Sequence, residues 1–153
     1  MSASPQLPFA ALVAQWPEVA VRRLARLDTP LAIAAYLDQL DDTEDAPVRS
    51  PLSVLRDRCC NPLDAGLLAA AALRQLGVHP QLHAVCAGDL WATLAYATWA
   101  GTAVTLGGRP WRSLPRQRGL MISNYDALDW MTEDSGANSV VEAALQLAGY
   151  RPK

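Results

Sequence analysis

The sequence predicts an α+β fold in which N-terminal helices and a central buried helix pack on a small antiparallel sheet, followed by C-terminal helices. Two observations support this class. Apolar residues recur at helical spacing as far as position 77, and three strand-like segments follow between positions 81 and 106. With 153 residues, 51% of them hydrophobic, the chain is expected to bury one core and fold as a single domain, residues 1–153.

The first part of the chain, residues 1–48, is expected to hold the N-terminal helices. An amphipathic stretch from Phe9 to Leu27 predicts the first helix, which Pro17 kinks or restarts. Thr29 stands before Pro30, the pattern of an N-cap followed by proline at the first helical position. An apolar stripe then predicts a second helix that ends near residue 40.

The middle part, residues 49–107, is expected to form the core helix and the sheet. Ser50–Pro51 repeats the cap signal and predicts a short helix through Arg58. Asn61–Pro62 repeats it again before a run rich in alanine and leucine, and Gly77 predicts the end of that helix. Because this run is apolar nearly all round, it should be the central buried helix.

Strand-like segments after this helix predict a three-stranded antiparallel meander over residues 81–88, 90–99 and 102–106. On the second strand, Trp91 and Trp99 should share one face and Tyr96 should lie on the other. The last part, residues 108–153, should hold a basic loop and the C-terminal helices. The whole loop is read as residues 107–119, and the helices as Ser123–Thr132 and Asn138–Leu147.

Composition excludes several classes of function. The net charge of −2, from 13 basic and 15 acidic residues, provides no general attraction for nucleic acid or an anionic membrane. The N-terminal stretch lacks the pattern of a secretion signal, and no segment reaches the roughly 18 continuous apolar residues of a membrane span. The three cysteines form no sensible disulfide framework. We therefore expect a cytoplasmic protein with reduced thiols.

One segment, SPLSVLRDRCCNPLDAGLLAAAALRQLGVHP at residues 50–80, resembles a bacterial transglutaminase-like family with a papain-like core. Members of that family carry an SP-x-x-VLR segment, a His-Cys pair, an Ala/Leu-rich helix and a helix-ending glycine. The preceding LDTPLAIAAYLDQL, residues 27–40, and the later PWRSL, residues 110–114, are also similar to the family. The resemblance implies a fold in which a cysteine begins the central helix and a histidine lies on the following sheet.

The catalytic residues of that family are missing in register. Aligned from Ser50, the His-Cys pair falls on Asn61–Pro62, and its acidic neighbour is similar to Asp64. The catalytic histidine falls near Leu90–Trp91, and the third member falls near Val104–Thr105. Because proline cannot be a nucleophile, the resemblance implies a catalytically degenerate protein that binds a peptide, a small ligand or a partner protein.

Two other functions stay open. Cys60 and Cys59 lie just before the predicted helix start, where a thiolate is favoured, and His83 on the first strand is the candidate base. With Asp89 as an orienting carboxylate, these residues suggest a thiol-dependent hydrolase or acyl transferase. The structural alternative is that both cysteines are small buried side chains. The third function is an accessory subunit of a larger assembly, docked through exposed tryptophans and arginines.

The spacing of two histidines, a cysteine and an aspartate suggests a zinc site. His79, His83, Cys86 and Asp89 have side chains that ligate zinc. On a strand, however, His83 and Cys86 point to opposite faces. We therefore expect no metal and no cofactor.

The basic loop supplies the candidate binding residues. Its arginines surround a tryptophan. The arginines could hold a phosphate or a carboxylate, and the indole could stack on the same ligand. The alternative is a solvated loop whose arginines pair with the acidic residues 41–45. A tryptophan near the histidine position would plug the cleft or line it as an aromatic pocket. The candidate binding residues are Trp91, Arg109, Trp111, Arg112 and Arg116.

Overall fold

The computed structural model describes residues 9–43, 47–114, 119–121 and 129–151. Within these residues the chain is a mixed α+β structure with a small antiparallel sheet, as the sequence predicts. None of the helices in these ranges has the length and apolarity needed to cross a bilayer. Arg116 lies outside the described residues, as do residues 44 and 45 of the acidic stretch and residues 123–128 of the first predicted C-terminal helix.

The N-terminal region contains helices α1 (Phe9–Val13), α2 (Glu18–Ala25) and α3 (Pro30–Gln39). The long helix predicted from Phe9 is thus divided, because Pro17 stands directly before α2 and has no N–H to continue a helix. Thr29 caps α3 as predicted, since its hydroxyl accepts a hydrogen bond from the N–H of Ala32 at 3.1 Å.

A short pair of parallel strands brings distant segments together before the central helix. Strand β1 (Asp41–Asp42) pairs with β2 (Cys59–Cys60), a contact that the sequence analysis missed. Between them lies α4 (Pro51–Asp57), which the Ser50 hydroxyl caps as predicted. Arg58 ends α4 in the left-handed conformation, with φ of 59°, and turns the chain into β2. The pairing places Asp42 and both cysteines beside the start of the next helix.

The central helix α5 (Ala65–Gln75) is buried over almost its whole length, as its composition predicts. It starts three residues after Pro62, because residues 62–64 form a turn. Gly77 follows the helix with φ of +84°, a conformation that glycine adopts without strain.

The predicted meander is confirmed as β3 (Gln81–Ala87), β4 (Leu90–Trp99) and β5 (Thr102–Gly107), with antiparallel pairing. A further short strand, β6 (Leu120–Met121), pairs with β3, so the sheet order is β5-β4-β3-β6. Within the segment predicted as an irregular loop, residues 111–113 form a 3₁₀ turn.

The two faces of the sheet have different partners. The Thr93 hydroxyl of β4 accepts a hydrogen bond from α5, and Thr93 pairs with Ala84 of β3. Because side chains alternate along a strand, every second residue counted from Thr93 and from Ala84 faces the central helix. Trp91 and Trp99 lie on this face and Tyr96 on the other, as predicted. The α5 face adds Leu82, Ala84, Ala95 and Leu106 to the main core. The opposite face forms a smaller core of Val85, Ala92, Leu94, Tyr96 and Trp111.

The C-terminal helices are α6 (Asp129–Thr132) and α7 (Asp134–Leu147). Helix α7 begins four residues before the predicted Asn138. Gly136, a residue that weakens a helix prediction, is required here because a Cβ would lie 2.9 Å from the backbone at Asp129 and Trp130. The close contact of the two helices therefore selects the glycine.

Candidate binding cleft

A cleft opens at the N-terminal end of the central helix. It has a larger compartment of about 700 Å³ and a smaller one of about 200 Å³. Both compartments are lined by Asp42, Asn61, Pro62, Arg109 and Trp111. These residues come from β1, from the turn before α5 and from the loop after β5, so segments distant in sequence build one site.

Asn61 and Asp64 form a reciprocal cap at this helix start. The Asn61 Oδ1 atom accepts hydrogen bonds from the N–H groups of Leu63 at 2.8 Å and Asp64 at 3.0 Å. Asp64 Oδ1 accepts in return from the N–H of Asn61 at 2.9 Å, which completes a capping box. Asn61 therefore caps the turn that precedes α5, whereas the sequence predicts it as the N-cap of the helix itself. The N–H groups of Leu63 and Asp64 are already bonded within the protein.

Asp64 is fully buried beneath the cleft. Its second oxygen accepts a hydrogen bond from the N–H of Arg49 at 2.9 Å. Burial raises the pKa of Asp64 to about 7, against the opposing effect of the hydrogen bonds from the N–H groups of Arg49 and Asn61. The side chain holds the loop before α4 against the helix start, which is a structural role.

Cys60 lines the smaller compartment, but its thiol is poorly suited to nucleophilic attack. The residue is only 8% exposed. Burial raises the pKa of Cys60 to about 12, and the nearby carboxylates of Asp64 and Asp42 act in the same direction. The thiol is therefore protonated at neutral pH. Cys59 is half-buried and directly precedes Cys60 in β2. Because neighbouring side chains of a strand point to opposite sides, the Cys59 thiol points away from that of Cys60.

The structure does not bring His83 to the cysteines. His83 pairs with Leu94 and so lies on the sheet face opposite to α5. There its ring packs edge-on against Tyr96, with 4.5 Å between ring centroids, and its Nε2 lies 3.0 Å from the Oε1 atom of Gln81. Asp89 is exposed in the turn at the far end of the β3–β4 hairpin. The thiol-base arrangement considered from the sequence is therefore not assembled.

The residues weighed as zinc ligands are also separated. His83 and Cys86 lie on opposite faces of β3, in agreement with the strand argument. Asp89 is exposed beyond the end of that strand, and His79 precedes its start. Across the described ranges, no three histidine, cysteine or acidic side chains are grouped closely enough to hold a metal ion.

Strand β4 contacts the helix start through Thr93 and presents Trp91 to the cleft. The Thr93 hydroxyl donates to the carbonyl of Leu63 at 2.9 Å and accepts from the N–H of Gly66 at 3.1 Å. Trp91 lines the larger compartment and packs edge-on against Tyr150, with 5.3 Å between ring centroids. Sequence reasoning missed Thr93, although a threonine in an apolar strand and a glycine in a buried helix were visible signals.

Two arginines of the loop bind one carboxylate, that of Asp38 at the end of α3. Arg112 Nη2 lies 2.6 Å from Asp38 Oδ1, and Arg109 Nε lies 3.3 Å from the same oxygen. The sequence analysis considered pairing with residues 41–45, but the described partner is Asp38. Because the two arginines share one carboxylate, neither of them is neutralised by a carboxylate of its own.

Trp111 is 92% buried by its packing on the smaller core, while part of it still lines both compartments. The cleft therefore combines two indoles, a guanidinium and the carboxylate of Asp42. In comparisons with known proteins, the chain matches no family model and no curated protein.

Proposed function

We propose that this chain is a catalytically degenerate transglutaminase-like protein whose cleft binds a short peptide or small ligand without transforming it. Support comes from a buried helix followed by an antiparallel meander, the order expected of that core. The cleft lies at the start of this helix, where the resemblance expects a catalytic cysteine. The free cysteines favour a cytoplasmic location, which is part of the proposal.

The observation that carries the proposal is the composition of the cleft. An acyl-transfer mechanism needs a thiolate beside a base, whereas Cys60 is a protonated thiol and His83 faces away across the sheet. The larger compartment is lined mainly by apolar groups with a few polar ones, the usual make-up of a binding pocket. Its volume of about 700 Å³ suits a small ligand or short peptide better than a folded partner.

Equilibrium dialysis against a pool of synthetic di- and tripeptides tests this function, with mass spectrometry to identify the retained peptides. Trp91→Ala should weaken retention by about tenfold or more, because an indole in a pocket is a typical anchor. Trp99→Ala is the matched control, since Trp99 lies on the same strand and face but does not line the cleft. It should bind as the wild type does.

Two results would contradict the proposal. One is the absence of any peptide whose retention depends on Trp91. The other is a covalent acyl adduct on a cysteine in the intact mass of the incubated protein, which would reveal catalysis.

A further inference from the structure

The cleft contains a carboxylate and a guanidinium that do not satisfy each other. Asp42 lines both compartments and, among the described residues, has no ion-pair partner. Arg109 lines both compartments as well, and its side chain is 70% exposed. Its Nε atom lies 3.3 Å from Asp38 Oδ1, and within the described part of the chain its two terminal nitrogens donate no hydrogen bond. Arg112 holds the same Asp38 oxygen at the shorter distance of 2.6 Å.

These two side chains have opposite requirements. An ionised aspartate only accepts hydrogen bonds, and an arginine only donates them. A ligand that satisfies both therefore carries a cationic donor and an anionic acceptor. An uncharged ligand that covered them would remove water from two charges and leave each without a partner.

The wall around these charges is apolar. It includes Pro62, Leu63, Leu90, Trp91 and Trp111. Apolar and aromatic side chains of a ligand would lose their contact with water against this surface. The ligand is thus a zwitterion with an apolar body.

We propose that the cleft binds a short apolar peptide through its free termini. The ammonium group is held by Asp42, the carboxylate by the terminal nitrogens of Arg109, and the side chains lie against Trp91 and Trp111. A guanidinium matches a carboxylate in a two-point hydrogen-bonded pair, which gives the site a direction. This inference rests on the proposed function and names the ligand class of the same site.

Titration calorimetry with the dipeptide Leu-Phe tests the assignment. Four forms are compared: both termini free, the N-terminus acetylated, the C-terminus amidated, and both termini blocked. Each block removes one charge with little change in the apolar body. Each should therefore weaken binding to the wild type by about tenfold or more.

Two variants assign the charges to their partners. Asp42→Asn should abolish the effect of acetylation while keeping that of amidation, and Arg109→Gln should do the reverse. Asp41→Asn is the matched control, because Asp41 neighbours Asp42 in β1 but does not line the cleft. It should keep both effects at the wild-type size.

The outcomes separate this inference from the proposed function. Equal affinity for the free and doubly blocked dipeptides would overturn the zwitterion assignment, and so would an unchanged acetylation effect in Asp42→Asn. Binding that still depends on Trp91 would leave the proposed function standing. If none of the four forms binds, the zwitterion assignment is again wrong. Equilibrium dialysis against the peptide pool then tests the proposed function separately.

Discussion

At the scale of single residues, burial determines the chemistry of two side chains at the helix start. Cys60 and Asp64 are ionisable groups whose charged forms are disfavoured by removal from water, and both have raised pKa values. Neither value follows from the residue type or from its neighbours in sequence. Each leads to a measurable consequence in solution.

We expect the Cys60 thiol to react slowly. In a protein carrying Cys59→Ser and Cys86→Ser, alkylation by iodoacetamide near pH 8 should be on the order of a hundredfold slower than in the urea-unfolded chain. The reason is the native pKa of about 12, and the rate should keep rising as the pH approaches that value. Fast labelling below neutral pH that His83→Ala slows would instead support a thiol enzyme.

The raised pKa of Asp64 should make the native protein less stable as pH rises. An unfolded aspartate has a pKa of about 4. Between that value and the native pKa of about 7, the native state keeps a proton that the unfolded chain releases. The stabilising contribution of the neutral carboxyl is complete below about pH 4 and is lost as the pH rises to about 7.

Urea unfolding of the wild type and Asp64→Asn at several pH values measures this effect. Between about pH 4.5 and 7, the free energy of unfolding should fall by roughly 2–3 kcal/mol more in the wild type than in the variant. Other ionisable groups are common to both proteins and cancel in the difference. Parallel pH profiles for the two proteins would show that Asp64 does not retain its proton.

At the scale of secondary-structure elements, the fit between α5 and β4 sets the position of the cleft floor. Gly66 lies so close to Thr93 that a Cβ would come within 2.6 Å of its backbone carbon. The hydrogen bonds of Thr93 to Leu63 and Gly66 hold the two elements at this distance. The helix start and the strand therefore act as one unit.

Gly66→Ala should consequently be strongly destabilising. The added methyl group has to push α5 away from β4, which should cost about 1–3 kcal/mol in the free energy of unfolding. Gly108→Ala is the control, because a Cβ there has no neighbour closer than 3.8 Å. Equal unfolding free energies for the two variants in urea would show that the close approach is not important.

At the scale of the whole molecule, the cleft depends on segments that are far apart in the chain. Residues from β1, the α5 turn, the β3–β4 hairpin and the loop after β5 meet only in the folded protein. The proposed ligand would bind the native state and not the unfolded chain. Occupancy of the cleft is therefore linked to the stability of the fold as a whole.

Free Leu-Phe at about a hundred times its dissociation constant should raise the free energy of unfolding by about 2.7 kcal/mol, as measured with urea. The doubly blocked peptide at the same concentration should raise it less. Trp91→Ala should respond weakly to the free peptide, because it lacks an indole of the pocket wall. An unchanged unfolding curve for the wild type at saturation would contradict binding to the native cleft.

Local signals predicted much of the fold. Thr29 and Ser50 cap their helices as predicted, because a cap acts over about three residues. Asn61 was predicted as a helix cap but caps the turn before α5. The strand-like segments between residues 81 and 106 predict the meander, because the residue types that favour a strand also act over a few positions. The β1–β2 pair and β6 were missed, because each depends on a partner distant in sequence. The early start of α7 was missed because Gly136 weakens a helix prediction, and only the contact with α6 explains the glycine.

The sequence by itself determined the α+β class, the order of the main helices and the three-stranded meander, and the absence of a Cys-His pair at the positions that the resemblance assigns. These properties follow from residue identity and from interactions over a few residues. Tertiary structure decided that His83 faces away from Cys60, that Cys60 is buried, and that Asp38 binds the arginines. Burial and the proximity of distant segments arise only when the helices and sheet pack together.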